Sequence, residues 1–403
     1  MRNNTEHIST TKIILILGAL TTLVPFSIDT YLPAVPQIAK DFGTSSANMS
    51  FSLTTFFIGF AAGQLIYGPL LDRFGRKKPL YVGLGISILA SVGCMITNDE
   101  KIFIAVRFIE ALGASVATVA SLTMVRDFFS QKESARIFSM LILIIGTSPL
   151  LAPSIGGFIT THLGWHWIFV FLSLHATALL LVAIFLLPVK YKPDPGIHLN
   201  IKEQAKRYIS ILKKPQFLTF VLAGAFSFST LFIYISGAPI IFMQSFNMDT
   251  QTFGFLFAGL SVGFVGGSQL NVLLLKKFTS RQIFRVAISG QAATALIFLL
   301  GAANHWYGMT ATIAFFFVLL LCLGFNAPNA LSLAYEPVEK DLGSASAMLG
   351  TWRIGIAGLA SASIGLFNTK TNLPIALMIS ATAVIALAIF LLGKSQQEQG
   401  MAE

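Results

Sequence analysis

The sequence predicts an all-α integral membrane protein, with twelve transmembrane helices arranged as two pseudo-symmetric six-helix bundles. Composition, run length and charge placement predict it together. Of 403 residues 55% are apolar and only 11% charged, against about 25% charged in a typical soluble protein. So few charges cannot cover a water-facing surface of this size. A helix rising about 1.5 Å per residue needs roughly 20 apolar residues to cross the hydrocarbon core. The apolar runs here reach that length without the alternation of barrel strands, so each backbone satisfies its own hydrogen bonds as a helix.

The first six runs fall near 13–35, 51–71, 79–98, 102–125, 136–160 and 166–188. The first carries Asp29, Pro25, Pro33 and Pro36 and lacks a small-residue cleavage site, so it is expected to stay as a span and not to leave as a signal peptide. Cys94 and Cys322 fall inside spans, as small hydrophobes with no bridge or metal expected. The fifth run holds Gly146, Pro149, Pro153, Gly156 and Gly157, which loosen the helical ladder and let neighbours approach; ordinary small-residue packing would use the same residues. His162 and His166 flank a short turn beside Trp165 and Trp167, an interfacial arrangement more than half a metal site.

A basic stretch at 189–215 with Pro193, Pro195 and Pro215 divides the chain into an N-terminal bundle, 1–188, and a C-terminal bundle, 216–403. It reads as a solvated linker near anionic head groups. The second six runs fall near 216–245, 252–275, 282–302, 309–334, 344–367 and 373–393. Placing the connections alternately on two sides puts 22 of the 27 Lys and Arg on one side and leaves Lys40, Lys101 and Lys370 on the other. By the positive-inside rule the crowded side, with both termini, is cytoplasmic. The same sorting makes lipid, and not nucleic acid, the partner of the excess positive charge.

Four charges lie within spans: Asp29, Arg107, Glu110 and Arg353. Each costs at least about 2.5–3.5 kcal/mol at the bilayer centre, so it needs a partner or a task. Counted from the cytoplasmic cations, Asp29 lies about 25 Å up the first span, and Glu110 and Arg107 about 24 Å and 28 Å up the fourth. Arg107 and Glu110, three apart, share a helical face. Two readings stand open. One is a buried ion pair that fixes how spans one and four pack; the other is a carboxylate, Asp29 or Glu110, whose protonation switches as its exposure switches. Arg353, beside Trp352, either faces a cavity or pairs with an acid across the bundle.

The most ordered segment outside the spans is Gly68-Pro-Leu-Leu-Asp72-Arg73-Phe-Gly75-Arg76-Lys77-Lys78-Pro79. Gly68 permits close approach, Gly75 supplies a turn, and an acid among cations can bridge helix ends until the bundles move. This segment closely resembles the G-x-L-x-D-R-x-G-R-K/R loop of the major facilitator superfamily. Ile28-Asp29-Thr-Tyr31-Leu-Pro33-Ala-Val-Pro36 resembles the first span of its twelve-span drug:proton antiporters, most narrowly the bicyclomycin/chloramphenicol-resistance branch, Bcr/CflA. Arg107-Phe108, Gly113 and Arg126-Asp127 are similar to that branch's fourth span. Leu151-Ala152-Pro153-Ser-Ile-Gly156-Gly157 with Gly164-Trp165 and Phe169 resembles its antiporter span, and Tyr234-Ile-Ser236-Gly237, Asn271, Pro328-Asn329-Ala330 and Ala345-Ser346-Ala347 continue the likeness.

The resemblance implies alternating access in a bacterial inner membrane and export of small molecules driven by inward proton flow. It places Asp29, Arg107, Glu110, Tyr234, Asn326 and Asn329 near the path, and gives Arg107 a part in proton transfer; Tyr31 and Arg353 are further cavity candidates. It implies small-molecule and proton partners. No metal spacing, phosphate loop or nucleophile elbow appears outside the spans, so neither an enzyme nor a cofactor is expected, and the chain is expected to be a monomer. The chain departs from the pattern at Glu110, where the branch has a neutral amide, at Ala152 before Pro153, at Trp352-Arg353, and at Leu275, which stands opposite Asp72 in the second half. A dedicated transporter of one siderophore, metabolite or nutrient is the alternative, and a receptor or scaffold a remote one.

Overall fold

The computed structural model describes residues 10–44, 49, 51–188, 191, 193–197, 200–248, 250–304, 306–362 and 372–399, and among these it contains helices and no strand. The first expected span is a broken rod: α1 (Thr10–Thr21), α2 (Leu23–Asp29), a 3-10 turn at Leu32–Ala34, and α3 (Val35–Asp41). The breaks follow the prolines. Pro25 and Pro33 offer no N–H to the carbonyls of Thr21 and Asp29, four residues earlier, and their rings crowd those carbonyls. The chain tightens there, with Thr22 N–H donating to the Ala19 carbonyl at 3.2 Å and Ala34 N–H to that of Tyr31 at 3.0 Å.

Next come α4 (Phe51–Phe74), α5 (Lys77–Ile96), α6 (Glu100–Phe128), α7 (Gln131–His162) and α8 (His166–Phe185). Helix α6 begins at an Asp99 side chain that accepts from Ile102 N–H, and Gly75 turns α4 into α5 at φ +83°. The region read as linker contains a helix, α9 (Ile201–Leu212). Its apolar residues recur at helical spacing, with Ile211 buried and Lys202 and Lys206 exposed. The second series is α10 (Pro215–Pro239), continued by a π-helical segment at Ile240–Ser245, then α11 (Thr250–Leu274), α12 (Ser280–Ala303), α13 (Met309–Tyr335), α14 (Leu342–Ala362) and α15 (Leu373–Gln399). Eleven segments among the described residues are long and apolar enough to span a membrane. Helix α14 occupies the place of the eleventh expected span, whose end lies outside the described residues.

The packing repeats between the two series. Helices α4 and α5 both pack on α6, and α5 packs on α8; in the second series α11 and α12 both pack on α13, and α12 packs on α15. Close approach needs glycine at matching places: a Cβ on Gly63 of α4 would overlap Ser115 and Leu112 of α6, and one on Gly267 of α11 would overlap the Leu321 carbonyl of α13.

By internal contacts the chain forms two compact units. One comprises Met1–Phe129, Thr147–Gln204 and Asp341–Ala347; the other comprises Ser130–Gly146, Ala205–Lys340 and Met348–Glu403. Helices α7 and α14 therefore each contribute residues to both. The first unit has an aromatic core around Tyr31, Phe103, Trp165 and Phe169, and the second a larger core around Tyr234, Phe242, Phe264 and Phe316.

Candidate functional site

Arg107 and Glu110 are completely buried, and Arg107 Nη1 meets Glu110 Oε2 at 2.7 Å. The i, i+3 spacing on α6 brings them together. Arg107 Nη2 also donates to the Ser27 carbonyl of α2 at 3.1 Å. Aromatic rings close around the guanidinium: Phe56 at 4.4 Å, Tyr31 at 4.7 Å and Phe169 at 5.8 Å. Tyr31 is itself fixed by a 2.7 Å hydrogen bond to Ser52. The second Glu110 oxygen, Oε1, and Arg107 Nε have no partner among the described residues. The pair is sealed, charge against charge, inside the first unit.

Asp29 stands apart from it. The residue ends α2, is half-buried, and among the described residues forms no ion pair; Ser148 of α7 donates to its Oδ2 at 3.4 Å. The proline-broken backbone explains its position, because the helix must stop where Pro33 cannot reach back. On the same face of α7, a Cβ on Gly156 would overlap the Thr30 carbonyl, while one on Gly157 would meet open space. Pro149 and Pro153 lie inside α7, which continues through both.

The turn between α4 and α5 is held by a second charge cluster. Asp72 is buried and accepts from Arg76 Nη1 at 3.0 Å, from the Gly343 and Ser344 N–H groups at 2.9 Å and 3.0 Å, and from the Ser344 hydroxyl at 3.2 Å. It thus satisfies two of the unpaired donors at the start of α14 and opposes that helix's positive end. Arg76 forks onto Asp127 at 2.8 Å and 3.1 Å. Tyr191 lies over the Arg76 guanidinium at 3.6 Å and donates to the Asp72 carbonyl at 3.0 Å. Burial, then the nearby Asp72 charge, push the Tyr191 phenol up to about 12, which keeps it a donor at neutral pH. Pro193 sits against Gly75, and a Cβ on Gly68 would overlap Gly343 and Ala347. Arg73 points its guanidinium over Phe74 instead.

In the second unit Asn326, Gln291, Ser227 and Thr230 form a buried neutral cluster, with Asn326 Nδ2 donating to Gln291 Oε1 at 2.8 Å and Gln291 Nε2 to Thr230 at 2.9 Å. Asn329 Nδ2 donates to Asn271 Oδ1 at 2.7 Å, and Asn271 Nδ2 to Ser139 of α7 at 2.9 Å. Where the first unit uses an acid at Asp72, the second uses this amide chain. Tyr234 is buried between Phe257 and Phe316, its hydroxyl without a partner among the described residues. Tyr31, Tyr234, Asn326 and Asn329, expected beside a path, are therefore packed within their own units in this structure. Arg353 lies over Phe228 at 3.5 Å.

Residues 17–362 match the Major Facilitator Superfamily. The chain belongs to that superfamily. Among its relatives, the bicyclomycin resistance protein homolog of Haemophilus influenzae is 28% identical over 387 residues, 95% of this chain and 96% of that one. The chloramphenicol resistance protein of Pseudomonas aeruginosa is 25% identical over 100% of this chain and 95% of its own. Solved structures agree in fold: the proton:xylose symporter XylE has a TM-score of 0.74 at 14% identity over 94% of this chain and 95% of its own. A bacterial homologue of ferroportin in an outward-facing state has 0.77 at 15%, over 96% and 99%. This major facilitator chain thus carries the Bcr/CflA likeness over nearly its whole length.

Sequence reasoning omitted Asp127, Tyr191, Gly343, Ser344, Ser139 and Gln291 from the candidate residues. Asp127 was visible beside Arg126, and Gly343-Ser344 at a helix start. Tyr191 had no signal, because its role depends on the fold of the linker.

Proposed function

We propose that this protein is a proton-coupled exporter of amphipathic small molecules in the bacterial cytoplasmic membrane, both termini inside, working as a monomer by alternating access of two six-span halves, 1–188 and 216–403. One observation carries the coupling: Asp29 is an acid inside a span that takes no ion pair among the described residues, while Glu110 is already committed to Arg107. An acid without a fixed cation can load a proton from one side and release it to the other as its exposure changes. Arg107 holds the backbone of α2 next to it through Ser27, so Arg107 positions the acid. The names of two relatives, a bicyclomycin resistance protein homolog and a chloramphenicol resistance protein, support export of such compounds.

The test is transport in proteoliposomes with an imposed pH gradient, using chloramphenicol, bicyclomycin and cationic dyes. Wild-type protein is expected to move substrate against proton flow, and Asp29→Asn to abolish gradient-driven flux while inserting normally. Undiminished flux from Asp29→Asn removes the residue from the mechanism.

A further inference from the structure

Between α11, α12 and α13 lies an open groove of about 390 Å³, all of it within the second unit. From Gln282 to Gly290 it follows α12 for about 12 Å. Phe278, Val286 and Phe325 stand in its walls, and Ala287, Gly290 and Cys322 supply the small side chains that leave it hollow. A Cβ on Gly290 would come within 3.6 Å of Cys322 Sγ, so a larger side chain there would fill the space. Val286 is 74% exposed and Phe278 50%, so the groove opens at the surface of the unit. Residues 274–290 carry Lys276, Lys277, Arg281 and Arg285 and no Asp or Glu. Arg281 turns toward Phe220 of α10. Lys276, Lys277 and Arg285 are exposed and, among the described residues, form no ion pair. The two lysines immediately precede Phe278, whereas Gly290 and Cys322 lie in the middle of their helices. The groove therefore runs from a cationic mouth to an apolar interior.

We propose that this groove seats one acyl chain of an anionic phospholipid, whose phosphate lies at Lys276 and Lys277 with Arg285 on its flank. At roughly 30 Å³ for a group the size of water, and a methylene is no larger, the space holds about a dozen carbons, most of one chain. The order of polarity along the groove is the order along a lipid. A soluble anion would gain nothing from the apolar walls, and a neutral amphiphile nothing from the lysines. Each cation near a membrane surface favours an anionic lipid by about fivefold. That the lipid belongs to the inner leaflet rests on the proposed orientation; that it binds does not.

Native mass spectrometry of the full chain in detergent, titrated with phosphatidylglycerol or phosphatidylcholine of identical chains, tests this. Wild-type protein is expected to retain one phosphatidylglycerol in preference to phosphatidylcholine by about tenfold. Lys276→Gln combined with Lys277→Gln is expected to erase that preference. Lys202→Gln combined with Lys206→Gln on α9, which removes as much charge elsewhere, is expected to keep it. Gly290→Phe, which fills the groove and retains the cations, is expected to lose the bound lipid. Cys322 gives a second readout that does not depend on the folding of Gly290→Phe. In Cys94→Ser protein, phosphatidylglycerol is expected to slow labelling of Cys322 by N-ethylmaleimide severalfold, and glycerol 3-phosphate to leave it unchanged. Equal retention of the two lipids, an equal loss in the α9 variant, undiminished lipid on Gly290→Phe, or Cys322 labelling indifferent to lipid overturns the site. A dimer that protects Cys322 without lipid assigns the groove to a second copy of the chain and overturns it as well.

Discussion

At Arg107 the energetics turn on isolation from water. Its charge is balanced by Glu110 one helical turn away, and both are enclosed by Tyr31, Phe56 and Phe169. Removing one member of a buried pair costs about 3–5 kcal/mol, because the other is left charged and unsolvated; replacing both by apolar residues of similar volume is near neutral. Arg107→Met and Glu110→Met are each expected to lower the midpoint of thermal unfolding in detergent, and the double variant to recover most of the loss. Additive losses would show that the two side chains do not act as a pair. Asp29 behaves differently, since no described cation shares its charge. The spacing of Arg107 and Glu110 made their contact legible in the sequence. Equal depth also suggested a third partner, and depth alone could not exclude Asp29, because rotation of α2 about its axis sets where that side chain points.

Among the helices, α14 starts against a carboxylate that belongs to another element. Asp72 accepts from two of its N–H groups and from Arg76, and Arg76 in turn grips Asp127. Each charge-assisted bond of this kind contributes about 1.5–3 kcal/mol. Asp72→Asn keeps the shape and loses the charge. It is expected to slow the transport cycle by about tenfold, which corresponds to about 1.4 kcal/mol, with little change in the substrate concentration at half-maximal rate. A change confined to that concentration would contradict a role in conformational exchange. Gly75 has φ +83° and Pro193 packed on it, so Gly75→Ala meets both backbone strain of about 1–2 kcal/mol and crowding. Its unfolding midpoint should fall, and an unchanged one would mean that the turn rearranges freely. Helix α9 was hidden in the sequence by the prolines on either side of it. The amide chain Ser139–Asn271–Asn329 was hidden because neutral residues far apart in sequence carry no charge pattern to announce their meeting.

Across the whole molecule, composition and charge sorting predict topology. With Cys94 and Cys322 replaced by Ser, Ser210→Cys in α9 should react with an impermeant maleimide only when the inner face is exposed. Asn304→Cys, at the end of α12, should react from outside. Reversed labelling would overturn the orientation. The repeated packing of α4, α5 and α6 in α11, α12 and α13 fits the Major Facilitator Superfamily, to which the chain belongs.

The sequence by itself determined that the chain crosses a membrane many times, where most spans lie, and which loop marks the superfamily. These follow from helix length, hydropathy and local spacing, which act over one or two turns. Tertiary structure alone decided that Asp29 stands apart from the Arg107–Glu110 pair, that Asp72 caps α14, and that Arg353 lies on Phe228. Those outcomes depend on how each helix is rotated and which distant neighbour it meets, and van der Waals packing and interhelical hydrogen bonds specify that only when the helices are assembled in lipid.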